Sequence, residues 1–162
     1  MTIDFLTQIV KQKGREISQA RKGIAEGRLA ELVRQRSDFR PFFETLSRPG
    51  AAGVNIIAEI KRASPSRGDI CPDLDASRTA LRYEKGGAAA DSVLTDSTYF
   101  NGCLEDLAAA RSACTQPVLR KEFILSRYQV YEAAAAGADA ILLIARILTA
   151  KKLDRLYALC RE

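Results

Sequence analysis

The chain has 162 residues, 47% of them hydrophobic, and a formal net charge of +5; that is enough length and apolar content for one real core. The basic excess is spread along the chain, without aromatic interleaving or a nucleic-acid reader motif, so it points to an anionic small-molecule partner or to solubility alone. Histidine is absent, and none of Cys71, Cys103, Cys114 and Cys160 forms a CxxC pair. This excludes His-based triads and the usual zinc sites, leaves acid–base work to Lys, Glu or Asp, and reads the thiols as free in a reducing compartment.

The opening MTIDFLTQIVKQKGREI carries an acid at position 4 and no apolar h-region, so no signal peptide is expected. No apolar run is long enough to span a bilayer, and the cytoplasm is the expected location. Residues 3–36 read as helix: Ile3, Leu6, Val10 and Ile17 recur at helical spacing between lysines and arginines. Gly14, Gly23 and Gly27 weaken its continuity, so two helices are expected. Ser37–Leu46 reads as a short helix capped by Ser37 or Asp38, with Phe39, Phe42 and Phe43 able to plug onto a larger core. Ser47–Asn55 is a linker of turn formers.

The pattern then changes. Residues 54–60 (VNIIAEI) form a short apolar run flanked by glycine and proline, which favours a strand. A loop runs to about Leu74, and Asp75–Lys85 is a helix stopped by Gly86 and Gly87. The next strand is 88–95, followed by a helix over Gly102–Arg111 and a strand at 117–123. Ser126 can cap a helix to Ala136 that Gly137 closes, residues 138–145 make a fourth strand, and Thr149 caps a last helix with Leu153, Leu156 and Leu159 on one face. The βαβαβαβα order, with about 20 to 35 residues from strand to strand, is the rhythm of parallel βαβ units with right-handed crossovers. An open doubly wound sheet and half of a closed eight-stranded barrel both satisfy it.

In either architecture a ligand lies at the carboxyl ends of the strands. Four polar stations stand there: Glu59 with Lys61, Thr95 with Asp96, Arg120–Glu122, and the Ala145–Arg146 corner. Glu59 and Lys61 are two apart, so on a strand they share a face. An opposite-charge pair at the end of a buried run needs a chemical or a strong structural reason. The carboxylate favours the ammonium form of Lys61, which suits an anion binder or proton donor better than a free amine nucleophile. Lys121 is the second candidate; Glu122 follows it but faces the other way on a strand. Asp96 fits a site role or a cap on the following turn. The SPSRGD segment (Ser64–Asp69) lacks the P-loop pattern and reads as a mobile loop over a ligand or a plain solvent loop. Phe100, Phe123 and Leu142 suit either an apolar ring pocket or ordinary core packing.

Three blocks, IIAEIKRASPSRGDI, SVLTDSTYFNGCLEDL and PVLRKEFILSRYQVYEAAAAGADAILLIARIL, together resemble the indole-3-glycerol phosphate synthase family, in order and at natural spacing. The resemblance implies an α/β fold: a partial (β/α)8 TIM barrel made of the first four βα units (51–162), preceded by an N-terminal helical extension (1–50). It implies decarboxylating ring closure and dehydration of 1-(2-carboxyphenylamino)-1-deoxyribulose 5-phosphate in tryptophan biosynthesis, a carbon–carbon lyase reaction without cofactor or metal. Lys121 would be the general acid at the keto group, Lys61 would hold the anionic substrate and serve proton transfer in the dehydration, and Glu59 would orient that lysine and the substrate hydroxyls. Ser64 would belong to the flexible first βα loop, and Phe100, Phe123 and Leu142 would line the anthranilate pocket. The implied partner is an anionic phosphorylated small molecule, with no nucleic acid and no membrane.

Two features depart from that pattern. A whole barrel takes about 250 residues, and this chain stops after the fourth unit without a clear helix stop, which reads as truncation. The missing half would carry a general-base glutamate, an asparagine and an arginine near the sugar, and the phosphate cradle. The alternative to an active enzyme is therefore a catalytically incomplete half-barrel needing a complementary half or self-association. Such a half leaves open edges, so the isolated chain is expected to dimerise, aggregate or stay partly molten. The second departure is Asp91, an acid where the family usually has an apolar residue, in a strand covered on both faces. Unpaired, it would cost several kcal/mol or take up a proton; a basic partner is the other solution.

Overall fold

The computed structural model describes residues 5–50 and 53–162. In chain order the elements are α1 (Phe5–Gly23), α2 (Glu26–Arg34), α3 (Phe42–Ser47), β1 (Ile57–Ile60), β2 (Ala63–Ser64), β3 (Gly68–Asp69), α4 (Ala76–Lys85), β4 (Ala90–Leu94), α5 (Ser97–Phe100), α6 (Leu104–Ala113), β5 (Val118–Lys121), α7 (Arg127–Ala135), β6 (Ala140–Ile141), a 3₁₀ turn at Ala145–Ile147, and α8 (Ala150–Leu159). Ile3, which helical spacing puts at the head of the first helix, lies outside the described residues, as do Ala51 and Ala52 of the linker.

Four strands form one sheet in the order β1-β4-β5-β6, every pair parallel. The spatial order follows the chain without the reversal that defines a doubly wound sheet. This decides between the two architectures: the fold is α/β, a partial TIM barrel whose sheet is not closed. The register aligns Glu59 with Ser92 and Leu119, and Leu94 with Lys121. Because side chains alternate along each strand, one face carries Ile57, Glu59, Ser92, Leu94, Leu119 and Lys121. The other carries Ile60, Asp91, Val93, Val118 and Arg120, all buried.

The chain divides into two compact units. One consists of Asp38–Glu122 and Ala136–Ile141 and contains the sheet. Helices α4 and α6 pack against each other and on β1, β4 and β5, burying Ala76, Ala80, Leu107 and Ala110 over Val93 and Val118. Asp75 caps α4 by accepting from the Arg78 amide at 2.9 Å, and Gly87, at φ 84°, turns the chain out of the helix. At the amino ends of the strands Asp139 accepts from the amides of Arg40 (2.9 Å) and Val118 (2.9 Å), while the Arg40 guanidinium donates to the carbonyls of Gln116 (2.8 Å) and Arg111 (3.0 Å). This clamp satisfies backbone groups that a short strand start would leave orphaned.

The other unit consists of the chain up to Ser37 with Phe123–Ala135 and Leu142–Glu162. Here α7 packs against α1, α2 and α8, around buried Ile9, Leu29, Tyr128, Ala133 and Leu156. The expected division of residues 5–36 into two helices is found, at Ile24–Ala25; Gly14 and Gly27 sit inside helices. Leu156 is buried and Leu153 and Leu159 are half-buried, so the expected apolar face of α8 is present.

Several local expectations are corrected. The short helix begins at Phe42 behind Pro41, not behind Ser37 or Asp38, because a proline disfavours helical backbone at the residue before it, here Arg40. Asp38 instead accepts from Arg111 through its carbonyl at 2.6 Å. Phe43 is 76% exposed and Phe39 is also exposed, so neither is a core plug. The Ser126 hydroxyl does not cap α7 but is buried without a hydrogen-bond partner. Gln129, inside α7, instead ties down the preceding loop, accepting from the Leu125 amide at 2.7 Å and donating to the Phe123 carbonyl at 3.1 Å. Thr149 sits at the N-cap of α8 but makes no side-chain cap bond. The fourth strand is shorter than the expected 138–145 and pairs only over Ala140–Ile141.

Candidate active site

Glu59 lies on β1, and its two carboxylate oxygens are taken by two lysines: Lys61 on Oε1 and Lys121, from β5, on Oε2. The second contact reaches over β4, which lies between the two strands. Strands two apart are separated by about 10 Å, a gap that only a long side chain closes. Burial pushes the Glu59 carboxyl up, but the hydrogen bonds from Lys121 and Lys61 outweigh it and hold the group below the usual carboxylate range. The trio therefore carries two ammonium groups on one carboxylate, a net positive centre suited to an anionic ligand. The β1 end is fixed by the Tyr83 hydroxyl of α4, which donates to the Glu59 carbonyl at 3.1 Å.

The loop after Lys61 is a two-stranded ribbon, β2 paired antiparallel with β3. Ser64 lies in β2, its hydroxyl 3.5 Å from that of Ser66, and its carbonyl accepts the turn bond from the Arg67 amide at 3.2 Å. Arg62 anchors the ribbon at its stem. Its carbonyl accepts from Ile70 (2.7 Å) and Cys71 (3.0 Å), and its guanidinium donates to the Leu74 carbonyl (2.8 Å) and, in a bidentate pair, to Asp106 of α6. The hydrogen bonds it donates to Asp106 raise the Arg62 guanidinium above its ordinary value. Burial pushes the Asp106 carboxyl up, yet the bonds from Arg62 and Cys103 hold it below its ordinary value. Neither the ribbon nor Asp106 follows from sequence patterning: the strands have two residues each, and Asp106 is 44 positions from Arg62.

The remaining candidates divide. Asp96 caps α5, accepting from the Tyr99 amide at 2.6 Å. Phe100 ends α5, half-buried, in the same unit as the lysines. Phe123 and Leu142 belong to the other unit and are half-buried there, as Ala145 and Arg146 are exposed there. Glu122 turns away from Lys121 toward Thr95. Among the described residues no three His, Cys, Asp or Glu side chains gather as a metal site, and no helix is long and apolar enough to cross a membrane.

The family profile described as indole-3-glycerol phosphate synthase matches residues 6–162. This chain belongs to the indole-3-glycerol phosphate synthase family. It is 58% identical over 159 residues to the indole-3-glycerol phosphate synthase of Desulfosudis oleivorans, an alignment covering 98% of this chain and 60% of that protein. The proteins of the same name from Syntrophobacter fumaroxidans (49% identical, 98% of this chain and 60% of the relative) and Laribacter hongkongensis (46%, 98% and 61%) align likewise. The chain thus spans about three fifths of the curated relatives it matches. The family match contains β1, β4, β5 and β6 together with Glu59, Lys61 and Lys121.

Proposed function

We propose that this chain supplies the amino half of an indole-3-glycerol phosphate synthase active site, and that turnover needs a complementary carboxyl half or a second copy of the chain. The observation that carries this reading is the grip of Lys61 and Lys121 on Glu59 at the carboxyl ends of β1 and β5. The substrate is 1-(2-carboxyphenylamino)-1-deoxyribulose 5-phosphate, whose carboxylate and phosphate are drawn to the net positive charge of the trio. As the ring carbon attacks the keto carbon, negative charge develops on the former carbonyl oxygen, and the Lys121 ammonium protonates it. Loss of carbon dioxide restores the aromatic ring. Lys61 then serves proton transfer in the loss of water, with Glu59 orienting it and the sugar hydroxyls. Ser64 contributes from the loop above the site, and Phe100 holds the ring near the reacting carbon.

The need for a second half follows from exposure. The face carrying the trio is open at β1 and β5, where Ile57 is 47% exposed and the Lys121 side chain 38%, while Ser92 and Leu94 of β4 between them are buried. Two unit charges 4 Å apart gain about 1 kcal/mol in bulk water and about 4 kcal/mol at an effective dielectric of 20. An ammonium on an uncovered face therefore stabilises a developing alkoxide weakly, and cover is what makes it a strong acid catalyst.

The test is an assay of indole-3-glycerol phosphate formation by the purified chain, alone and mixed with a polypeptide matching the uncovered two fifths of the Desulfosudis oleivorans relative. Turnover on mixing, abolished by Lys121→Ala, supports the reading. Turnover by the chain alone that rises steeply with its concentration assigns the cover to a second copy. Equal turnover with Lys121→Ala overturns the role of Lys121.

A further inference from the structure

We propose that Thr95 is the positioning residue for Lys121, its amide holding the lysine's carbonyl and its hydroxyl holding the side chains of both neighbours, so that the ammonium meets Glu59. The inference rests on Lys121 as the proton donor, but its geometry is independent of that role. Lys121 is the last residue of β5, where a strand frays. The Thr95 amide donates to the Lys121 carbonyl at 3.2 Å. The Thr95 hydroxyl accepts from Arg120 Nε at 3.0 Å and donates to Glu122 Oε2 at 3.1 Å. One residue of β4's end thus holds three consecutive residues of β5's end, with Lys121 in the middle.

The faces agree with this division of labour. Arg120 and Glu122 point to the buried side of the sheet, and Lys121 points to the open side toward Glu59. Arg120 Nη2 lies 3.9 Å from Glu122 Oε2, too far for a hydrogen bond, so the threonine hydroxyl bridges the two charges. Thr95, Arg120 and Glu122 are all at least nine-tenths buried. A buried ion pair is a weak source of stability, and an apolar replacement often serves as well. What such a network does supply is a single geometry. A lysine has four side-chain torsions, so its head group is placed only as well as its Cα is, and misplacement by about 1 Å costs on the order of a hundredfold in rate.

The decisive readout needs no turnover. In the ¹³C-labelled full chain, the Lys121 ε-methylene signal, assigned through Lys121→Arg, shifts when Glu59→Gln removes its partner. Thr95→Val keeps the shape and deletes the bridge; it is expected to reduce that response at least twofold. Thr95→Ser, which restores the hydroxyl, is expected to keep it. An undiminished response in Thr95→Val, or a loss in Thr95→Ser equal to that in Thr95→Val, overturns the proposal. Should Thr95→Val fail to fold, Glu122→Gln replaces it, with a partial loss expected and a full response overturning the inference. In the mixed assay, kcat should fall roughly ten- to a hundredfold in Thr95→Val with KM nearly unchanged. A rise in KM alone would also overturn it. Full turnover in Lys121→Ala would instead defeat the proton-donor role and leave the positioning claim to the spectra.

Discussion

Lys121 and Glu59, 62 residues apart in sequence, are joined across an intervening strand. The contact exists because Leu94 and Lys121 are in register while Glu59 pairs two residues earlier with Ser92, so the lysine reaches back along the sheet as well as over it. The pair is partly exposed, with side chains 38% and 28% accessible, so it adds at most about 1 kcal/mol to stability. The Glu59 carboxyl is held below its ordinary range despite burial. Such a group adds stability above its unfolded pKa and loses it as pH falls through the folded value. Glu59→Gln should therefore cost less than about 1 kcal/mol at pH 7, and still less below the folded value. Urea midpoints at both pH values check this, and a neutral-pH loss well above that bound would show that the pair is structural.

Asp91 behaves in the opposite sense. It is 0% exposed, on the buried face of β4, and its direct partner is the Gln116 amide, which donates to Oδ2 at 3.0 Å. Burial raises the carboxyl, against the lowering bonds from Gln116 and Cys114. Of the two solutions open to such an acid, the structure supplies an amide rather than a cation, and burial penalises the charged form. The neighbouring Cys114 thiol is pushed up to about 11 by burial first and by Asp91 second. A raised folded pKa gives stability that is full below the unfolded value and is lost as pH rises through the folded one. Asp91→Asn should thus be more stable than the parent at pH 7, by about 1 kcal/mol, with the advantage vanishing toward pH 3. Thermal unfolding across that range decides it; a destabilised variant at pH 7 would mean that the charged form is favoured.

Much of this was legible in the sequence because it is periodic or terminal. Strand runs at 54–60 and 117–123 that hold Glu59 and Lys121, helices closed at Gly86 and Gly137, and the same-face spacing of Glu59 and Lys61 all follow from local rules. The strand order was not, since local rhythm fits both a barrel half and a doubly wound sheet; the pairing of β1 with β4, and of β4 with β5, decides it. The bridging of Arg120 and Glu122 by Thr95 was equally hidden: a charge beside a lysine at a strand end looks like a solvated one until burial is known. Ser126 shows the converse, a good capping residue type whose hydroxyl makes no cap, while a glutamine inside the helix reaches two backbone groups of the loop before it.

Gly102 lies just beyond α5 and donates its amide back to the Asp96 carbonyl at 2.9 Å. A Cβ built there would collide with the Leu94 carbonyl and lie 3.2 Å from the Thr95 Cα. The obstacle is backbone, so no side-chain rotation relieves it. Gly102→Ala should cost about 1 to 3 kcal/mol, the usual cost of overpacking, and should disturb the Thr95 amide. Chemical denaturation with amide shifts checks both, and a neutral substitution would show that this turn yields.

The Arg62–Asp106 pair links the stem of the β2–β3 ribbon to α6, with the guanidinium also on the Leu74 carbonyl. Side-chain exposures of 21% and 10% make it drier than the lysine pairs, and a bidentate charge-assisted bond is about twice as strong as a neutral one. Breaking it leaves the partner partly buried, so Asp106→Asn and Arg62→Met should each cost about 1 to 3 kcal/mol. Their combined effect should be clearly less than additive. Because the Asp106 carboxyl is held below its ordinary value, the parent should lose this stability as pH falls through the folded value, while Asp106→Asn should not. The ribbon supplies the local readout. The Ile70 and Cys71 amides that donate to the Arg62 carbonyl should exchange with solvent at least tenfold faster in Arg62→Met. Unchanged exchange at both amides would mean that the ribbon holds its shape without the pair.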